Sequence, residues 1–211
     1  MSFDFKSKPF IGWIILVIFH TVGLLGLLSP YRDFFASLTP LNLLLTTAIL
    51  LIYNDGNRRQ WWSAFIWIFV LGFIAEWIGV KTGFPFGNYD YGGNLGLKLD
   101  GIPIIIGVNW FILIQATRAI GEIFISRFMK IFAAASLMVV IDILIEPVAM
   151  KIDFWMWEAG EIPFQNYVGW FVLSIFFQLI SRSRIPEFKN PMAKPVFIIQ
   201  GVFFFILNSL L

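Results

Sequence analysis

Seven apolar stretches, each near the length that crosses a bilayer, take up most of the chain. A transmembrane helix needs about 20 mostly apolar residues. The stretches 10–29, 34–53, 61–80, 102–117, 128–150, 166–180 and 193–211 meet or approach that length, the fourth and sixth being the short ones. The chain is therefore read as all-α, a polytopic membrane helix bundle of about seven transmembrane helices, forming a single transmembrane domain over 1–211. Composition bears this out: 59% of residues are apolar and 13% charged, against about 25% charged in ordinary soluble domains. Asn54-Asp55-Gly56-Asn57 marks a turn between the second and third stretches. Pro186, Pro191 and Pro195 break the chain before the seventh. Lys6 and Lys8 give the first stretch the flanks of a signal peptide. It is long for one and lacks a small-x-small cleavage site, so it is expected to be a retained span.

Orientation follows from lysine and arginine, which collect on the cytoplasmic side. With seven spans, Lys6, Lys8, Arg58, Arg59, Arg118, Arg127, Lys130, Arg182, Arg184, Lys189 and Lys194 share one side. Only Arg32, Lys81, Lys98 and Lys151 share the other. The expected N-terminus is cytoplasmic and the C-terminus outside, most simply in the cytoplasmic (inner) membrane. Segments 81–101 and 151–165 then become outer loops. Both contain Pro-Phe-x-Asn-Tyr, at 85–89 and 163–167, and both follow Glu-x-x-x-x-Lys, at 76–81 and 146–151. Spans three–four and five–six read as parallel repeats about an axis along the membrane normal, with Glu76 and Glu146 at matching depths.

Ionisable residues inside spans are costly and mark function by default. Four qualify: His20, Glu76, Asp142 and Glu146. Asp142 and Glu146 are four apart and share a helix face with Ala135 and Ala149, whose small side chains permit close helix approach. Pro147 removes the amide partner of the Ile143 carbonyl and is expected to draw Glu146 away from helical geometry. A carboxylic acid in an apolar site can keep its proton. The same acids also fit a structural role as polar links between helices. His20 and Asn109 lie mid-span and read as hydrogen-bond partners between helices rather than catalysts. Trp110, Trp155, Trp157 and Trp170 fit an interfacial belt, but the run 154–157 sits in a loop beside the acids. Indole faces stabilise cations. Buried acids with an aromatic lining suit proton-initiated chemistry on an apolar alkene.

Other classes drop out. There is no cysteine and a single histidine, which removes disulfides, thiolate metal sites and a cysteine nucleophile; no metal site is expected. A net charge of +2 is no nucleic-acid footprint. A retinal Schiff base needs a lysine inside a late span, and the seventh has only Lys194 at its start. Phosphate-binding glycine loops, HExxH, aspartate-rich pyrophosphate motifs and a serine nucleophile elbow are all missing from the sequence. A transporter with polar residues at a repeat interface fits the same features.

Glu76-Trp-Ile-Gly, the string Thr82-Gly-Phe-Pro-Phe-Gly-Asn-Tyr-Asp-Tyr91, Leu99-Asp-Gly-Ile-Pro103 and Asn109-Trp110 resemble the integral-membrane carotenoid hydratases. So do Asp142-Ile-Leu-Ile-Glu-Pro147, the Trp155/Trp157 loop and Asn166-Tyr-Val-Gly-Trp170. The likeness spans about residues 70–171. It departs at Glu146-Pro147, where the family pattern has Asp-Pro. The resemblance implies hydration of the terminal double bond of an acyclic carotenoid end group, giving a tertiary alcohol without a cofactor. Asp142, Glu146 and Glu76 are the implied catalytic acids; Asp142 lies about two turns inside the outer end of its span, deeper than Glu76, and its greater desolvation makes it the expected donor to the alkene. Tyr89, Tyr91, Asn109, Trp110, Trp155, Trp157, Asn166, Trp170 and His20 are the implied lining. The expected partners are a membrane-soluble carotenoid, water, the bilayer and other carotenoid-pathway enzymes. A proton-initiated carotenoid cyclase and a non-enzymatic transporter or carotenoid-binding protein fit the same residues.

Overall fold

The structure, a computed structural model, describes residues 8–211; Lys6, used above for orientation, lies outside them. Its elements are α1 (Lys8–Leu27), α2 (Arg32–Ser37), α3 (Thr39–Ile52), α4 (Arg58–Thr82), β1 (Tyr89–Tyr91), β2 (Lys98–Leu99), β3 (Ile102–Pro103), α5 (Ile105–Gly121), α6 (Arg127–Lys151), β4 (Trp155–Trp157), α7 (Phe164–Arg184) and α8 (Ala193–Leu210). The seven stretches read from the sequence all become helical. The second is broken at Leu38, because Pro40 in the first turn of α3 has no amide to continue α2. Among the described residues, five spans are long and apolar enough to cross a membrane: α1, the α2–α3 pair, α4, α6 and α8.

Helix α5 forms the axis of the bundle. It touches α3, α4, α6, α7 and α8, and nearly every side chain from Ile105 to Gly121 is buried. Enclosed by protein on all sides, it can carry polar groups that a lipid-facing helix could not. At one end Arg118, 2% exposed, donates to Ser181 Oγ at 3.0 Å and to the Ile185 carbonyl at 2.7 Å. Glu122 gathers Arg118, Lys130 and Arg182 there. Arg118, counted above among loop charges, is thus a buried tie between α5 and α7.

Local signals set the two longest helices. The Asn57 side chain caps α4 by accepting from the Arg59 amide, and Ser126 caps α6 by accepting from the Met129 amide. Gly83 ends α4 in the left-handed region, with φ 71°. Pro147 does not interrupt α6, contrary to the expectation for Glu146: the helix runs on to Lys151. Asn208 of α8 instead supplies a donor near the proline, to the Leu144 carbonyl at 2.5 Å.

Helices α4 and α6 both end at the same end of the bundle, where segments 81–101 and 151–165 meet. Strands β1 and β4 pair antiparallel, with Tyr89 opposite Trp157 and Tyr91 opposite Trp155. The loops are therefore a ribbon closing one end of the bundle, not loose connectors. Asp153 and Asn94 stitch them together: Asp153 Oδ2 accepts from the Gly93 amide at 2.7 Å, and Asn94 Nδ2 donates to the Ile152 carbonyl at 2.9 Å. The segment around Asn57 lies at the opposite end. Reporter fusions after Asn57 and after Gly92 are therefore expected to report opposite sides of the membrane; agreement between the two would refute this topology.

Candidate active site

Strand alternation points Asp90 and Met156 outward and turns Tyr89, Tyr91, Trp155 and Trp157 toward the helices. Glu76 lies near the C-terminal end of α4 and Glu146 near that of α6, so both carboxyls rise beneath the ribbon. Tyr89 and Tyr91 donate to Glu76 Oε2 at 2.5 and 2.6 Å. Trp155 and Trp157 donate to Glu146 Oε2 at 2.9 and 2.8 Å. Each half therefore repeats one device: a late-helix glutamate followed by a strand whose alternate aromatic residues donate to it. The cross-strand rings touch, with centroids 5.0 Å apart for Tyr89–Trp157 and 6.2 Å for Tyr91–Trp155.

The internal repeat read from the sequence thus reappears here, but not at the motif that announced it. Pro-Phe-x-Asn-Tyr at 85–89 is a turn running into β1, whereas at 163–167 it caps and opens α7. The like-spaced Glu76 and Glu146, each followed by its strand, are the equivalent parts.

Helices α5 and α7 complete the cluster. Trp110 Nε1 donates to Glu76 Oε1 at 2.8 Å. Asn166 Nδ2 donates both to Glu146 Oε1 at 3.0 Å and to Asp142 Oδ2 at 2.8 Å. Trp110 and Trp170 stack with centroids 4.6 Å apart. The three acids, four tryptophans, two tyrosines and Asn166 form one hydrogen-bonded, ring-packed cluster. Burial, and then the Glu76 carboxyl, push both phenols well above the ordinary tyrosine value, so they stay donors.

Glu76 and Glu146 border a common void of about 20 Å³, walled by Phe86, Tyr89, Tyr91, Trp155, Trp157 and Trp170. That is room for one water. Asp142 borders neither this void nor the groove beside it, although it is fully buried. Its Oδ1 has no hydrogen-bond partner among the described residues. Asn166 stands between it and Glu146.

Trp155 also borders a larger groove of about 70 Å³ among α1, α3, α5, α6 and α8, lined mainly by leucine, isoleucine and phenylalanine. His20 and Asn109 line this groove rather than the acid cluster. His20 makes no hydrogen bond to another helix among the described residues. Its Nδ1 bonds the Leu16 carbonyl of its own turn at 2.8 Å, and its ring packs edge-on against Phe203. An adjoining hollow of about 130 Å³ shares Leu27, Thr39, Asn42 and Phe203 with the groove and reaches Phe19, Val22 and Leu41. Those three are exposed on the apolar outer face, so the groove opens sideways.

Sequence reasoning missed Asn42 and Gln200, which line the groove, and Phe86 of the void wall. Asn42 and Gln200 are uncharged polar residues inside apolar stretches, a signal that a search for ionisable groups passes over. Phe86 packs under Gly79, where a Cβ would lie 2.6 Å from its ring and 3.1 Å from Tyr89 Oη. Gly79→Ala is expected to cost about 1–3 kcal/mol by overpacking, read as a lower thermal midpoint in detergent.

The sequence profile of the carotenoid biosynthesis protein family matches residues 38–210. The bisanhydrobacterioruberin hydratase of Haloarcula japonica is 31% identical over 104 residues, a match covering 45% of this chain and 36% of that protein. This chain thus matches about a third of the length of that curated relative. No solved structure matches.

Proposed function

The chain belongs to the carotenoid biosynthesis protein family, and from that premise we propose that it is a carotenoid hydratase, adding water to the terminal double bond of an acyclic carotenoid end group. One observation carries the reading. Two carboxyls face a common water-sized void walled by aromatic rings, beside an apolar groove open toward lipid. A polyene enters sideways from the bilayer and lies in the groove with its end group at Trp155.

Glu146 gives its proton to the CH carbon of the terminal double bond, leaving a tertiary carbocation on its dimethyl-bearing carbon. The donors already aimed at Glu146, from Trp155, Trp157 and Asn166, stabilise the carboxylate that remains. Such preorganised donors cost no reorganisation during reaction. The indole faces of Trp155 and Trp157 hold the cation. Water in the void forms the carbon–oxygen bond and loses its proton to Glu76, whose carboxylate the Tyr89, Tyr91 and Trp110 donors fit. Return of that proton to Glu146 through the void closes the cycle. Asp142 acts through Asn166, as a second acid that keeps a proton within the pair. Every step is a proton transfer or water addition and calls for no cofactor.

A water-sized space at the acids favours hydration over cyclisation, which shares the first step and then excludes water. The test is expression in cells making lycopene or γ-carotene, followed by pigment mass analysis. A gain of one water is expected. An isomer of unchanged mass would mean a cyclase, and unaltered pigment would point to binding or transport.

A further inference from the structure

The end of the bundle opposite the ribbon holds a group of charges that the hydratase reading does not use. Arg118 near the end of α5, Lys130 in the first turn of α6 and Arg182 in the last turn of α7 all pair with one carboxylate, Glu122, just after α5. Arg118 and Arg182 share its Oε1, and Lys130 takes its Oε2. Three cations on one anion leave the group with an excess of positive charge. Arg118 is satisfied further by Ser181 Oγ and the Ile185 carbonyl, and its guanidinium lies over the Phe188 ring, 4.6 Å from the centroid. Arg182 is not so provided. Its side chain is only 10% exposed and its Nη1 donates to Glu122. Its Nε and Nη2 are shielded from solvent and have no hydrogen-bond partner.

Buried polar groups are nearly always paired, and buried charges more strictly so. The two free N–H groups share one edge of the guanidinium, the fork that takes two oxygens of one phosphate or carboxylate side by side. The missing partner is therefore an oxyanion, which the excess positive charge also favours. The surroundings indicate what carries it. Ile123 and Ile125 in the α5–α6 turn and Phe128 at the start of α6 are all exposed. Apolar side chains laid open beside a charge cluster belong where acyl chains meet headgroups, and basic pockets between transmembrane helices hold lipid headgroups at that level. Glu122 and Lys130 are the partly exposed members of the group, so the site is reached from their edge. We propose that Arg182, Lys130 and Arg118 form a binding site for a phosphate group, supplied by the headgroup of an anionic phospholipid.

The test is native mass spectrometry of the purified full chain in detergent, titrated with phosphatidylglycerol or with phosphatidylcholine of the same acyl chains. Phosphatidylglycerol is expected to bind about tenfold more tightly, the scale of one hydrogen bond to a charged group. Inorganic phosphate at the same concentration is expected not to displace it. Arg182→Lys keeps a cation beside Glu122 and loses the fork; it is expected to remove most of the preference. Lys130→Gln, at the partly exposed edge, is the second variant and is expected to weaken phosphatidylglycerol severalfold. Thermal midpoints show which variants are folded, and either one suffices. Arg59→Gln removes a charge that is exposed at the same end and is expected to change neither affinity. Equal binding of the two lipids by the wild type would overturn the proposal, as would a full preference in the folded variants. An equal loss from Arg59→Gln would also overturn it, by showing a general pull of surface charge. Displacement by inorganic phosphate would overturn the lipid as occupant and assign the fork to a soluble anion. No pigment or turnover enters the measurement, so it stands or falls apart from the hydratase reading.

Discussion

Glu146→Gln is expected to lower hydrated product by about a hundred- to ten-thousand-fold, the range that a positioned acid contributes, at unchanged protein level in the membrane. An amide has no acidic proton to give the alkene. It also fits the site poorly, because Glu146 receives N–H donors on both oxygens, two indoles on Oε2 and Asn166 on Oε1. Whichever way a glutamine amide turns, its NH₂ meets a donor. Glu146→Asp keeps the acid on a shorter arm and is expected to recover part of the yield; this separates lost chemistry from lost packing. Asp142→Asn is expected to be severe as well, since residues acting as a unit do not contribute additively. The decisive comparison is between the two. Wild-type-like yield from Glu146→Gln beside a dead Asp142→Asn would return the proton donor to Asp142. His20→Ala is expected to spare the proton chemistry and weaken binding in the groove.

The helices were legible because a bilayer leaves few options for apolar runs of this length. The Asn54–Asn57 turn and the prolines at 186, 191 and 195 marked breaks between them. Helix α7 was read short, from 166 to 180, because its last turns carry Ser181, Arg182, Ser183 and Arg184. Those residues look like a loop until α5 is seen to pair with Ser181. The acids were legible for the same reason, as charge in an apolar run demands a partner. Their partners were only half legible. Tyr89, Tyr91, Trp155 and Trp157 were noticed as aromatic residues near acids, but two three-residue strands leave too weak a period to predict a ribbon between distant loops. Which carboxyl faces the void depends on the placing of Asn166 between Asp142 and Glu146. One-turn spacing along α6 cannot show that, so depth in the membrane favoured Asp142, which borders neither the void nor the groove. Of the groove amides only Asn109 was legible, and Asn42 and Gln200 join it because α3, α5 and α8 come together only in the fold.

Asn166 holds the two acids of α6 apart from their own repulsion, and its loss is expected to be the most destabilising change in the site. A single amide nitrogen donates to Asp142 Oδ2 at 2.8 Å and Glu146 Oε1 at 3.0 Å, at a residue 1% exposed. Asn166→Leu is close in volume and removes both bonds. Glu146 keeps its two indole donors, but Asp142 keeps none, because its Oδ1 is already without a partner. An acceptor stranded in this way costs about 1–3 kcal/mol, and more if charged. The midpoint of thermal unfolding in detergent should fall accordingly. Replacing both partners by apolar groups of similar shape is often nearly neutral, so Asn166→Leu with Asp142→Leu is expected to be more stable than Asn166→Leu alone. That recovery is the coupling energy of a double-mutant cycle. It appears only if the loss comes from a stranded carboxyl rather than from disturbed helix packing. If the second substitution lowers the midpoint further, Asn166 is a packing residue and the two acids are held by something other than its amide.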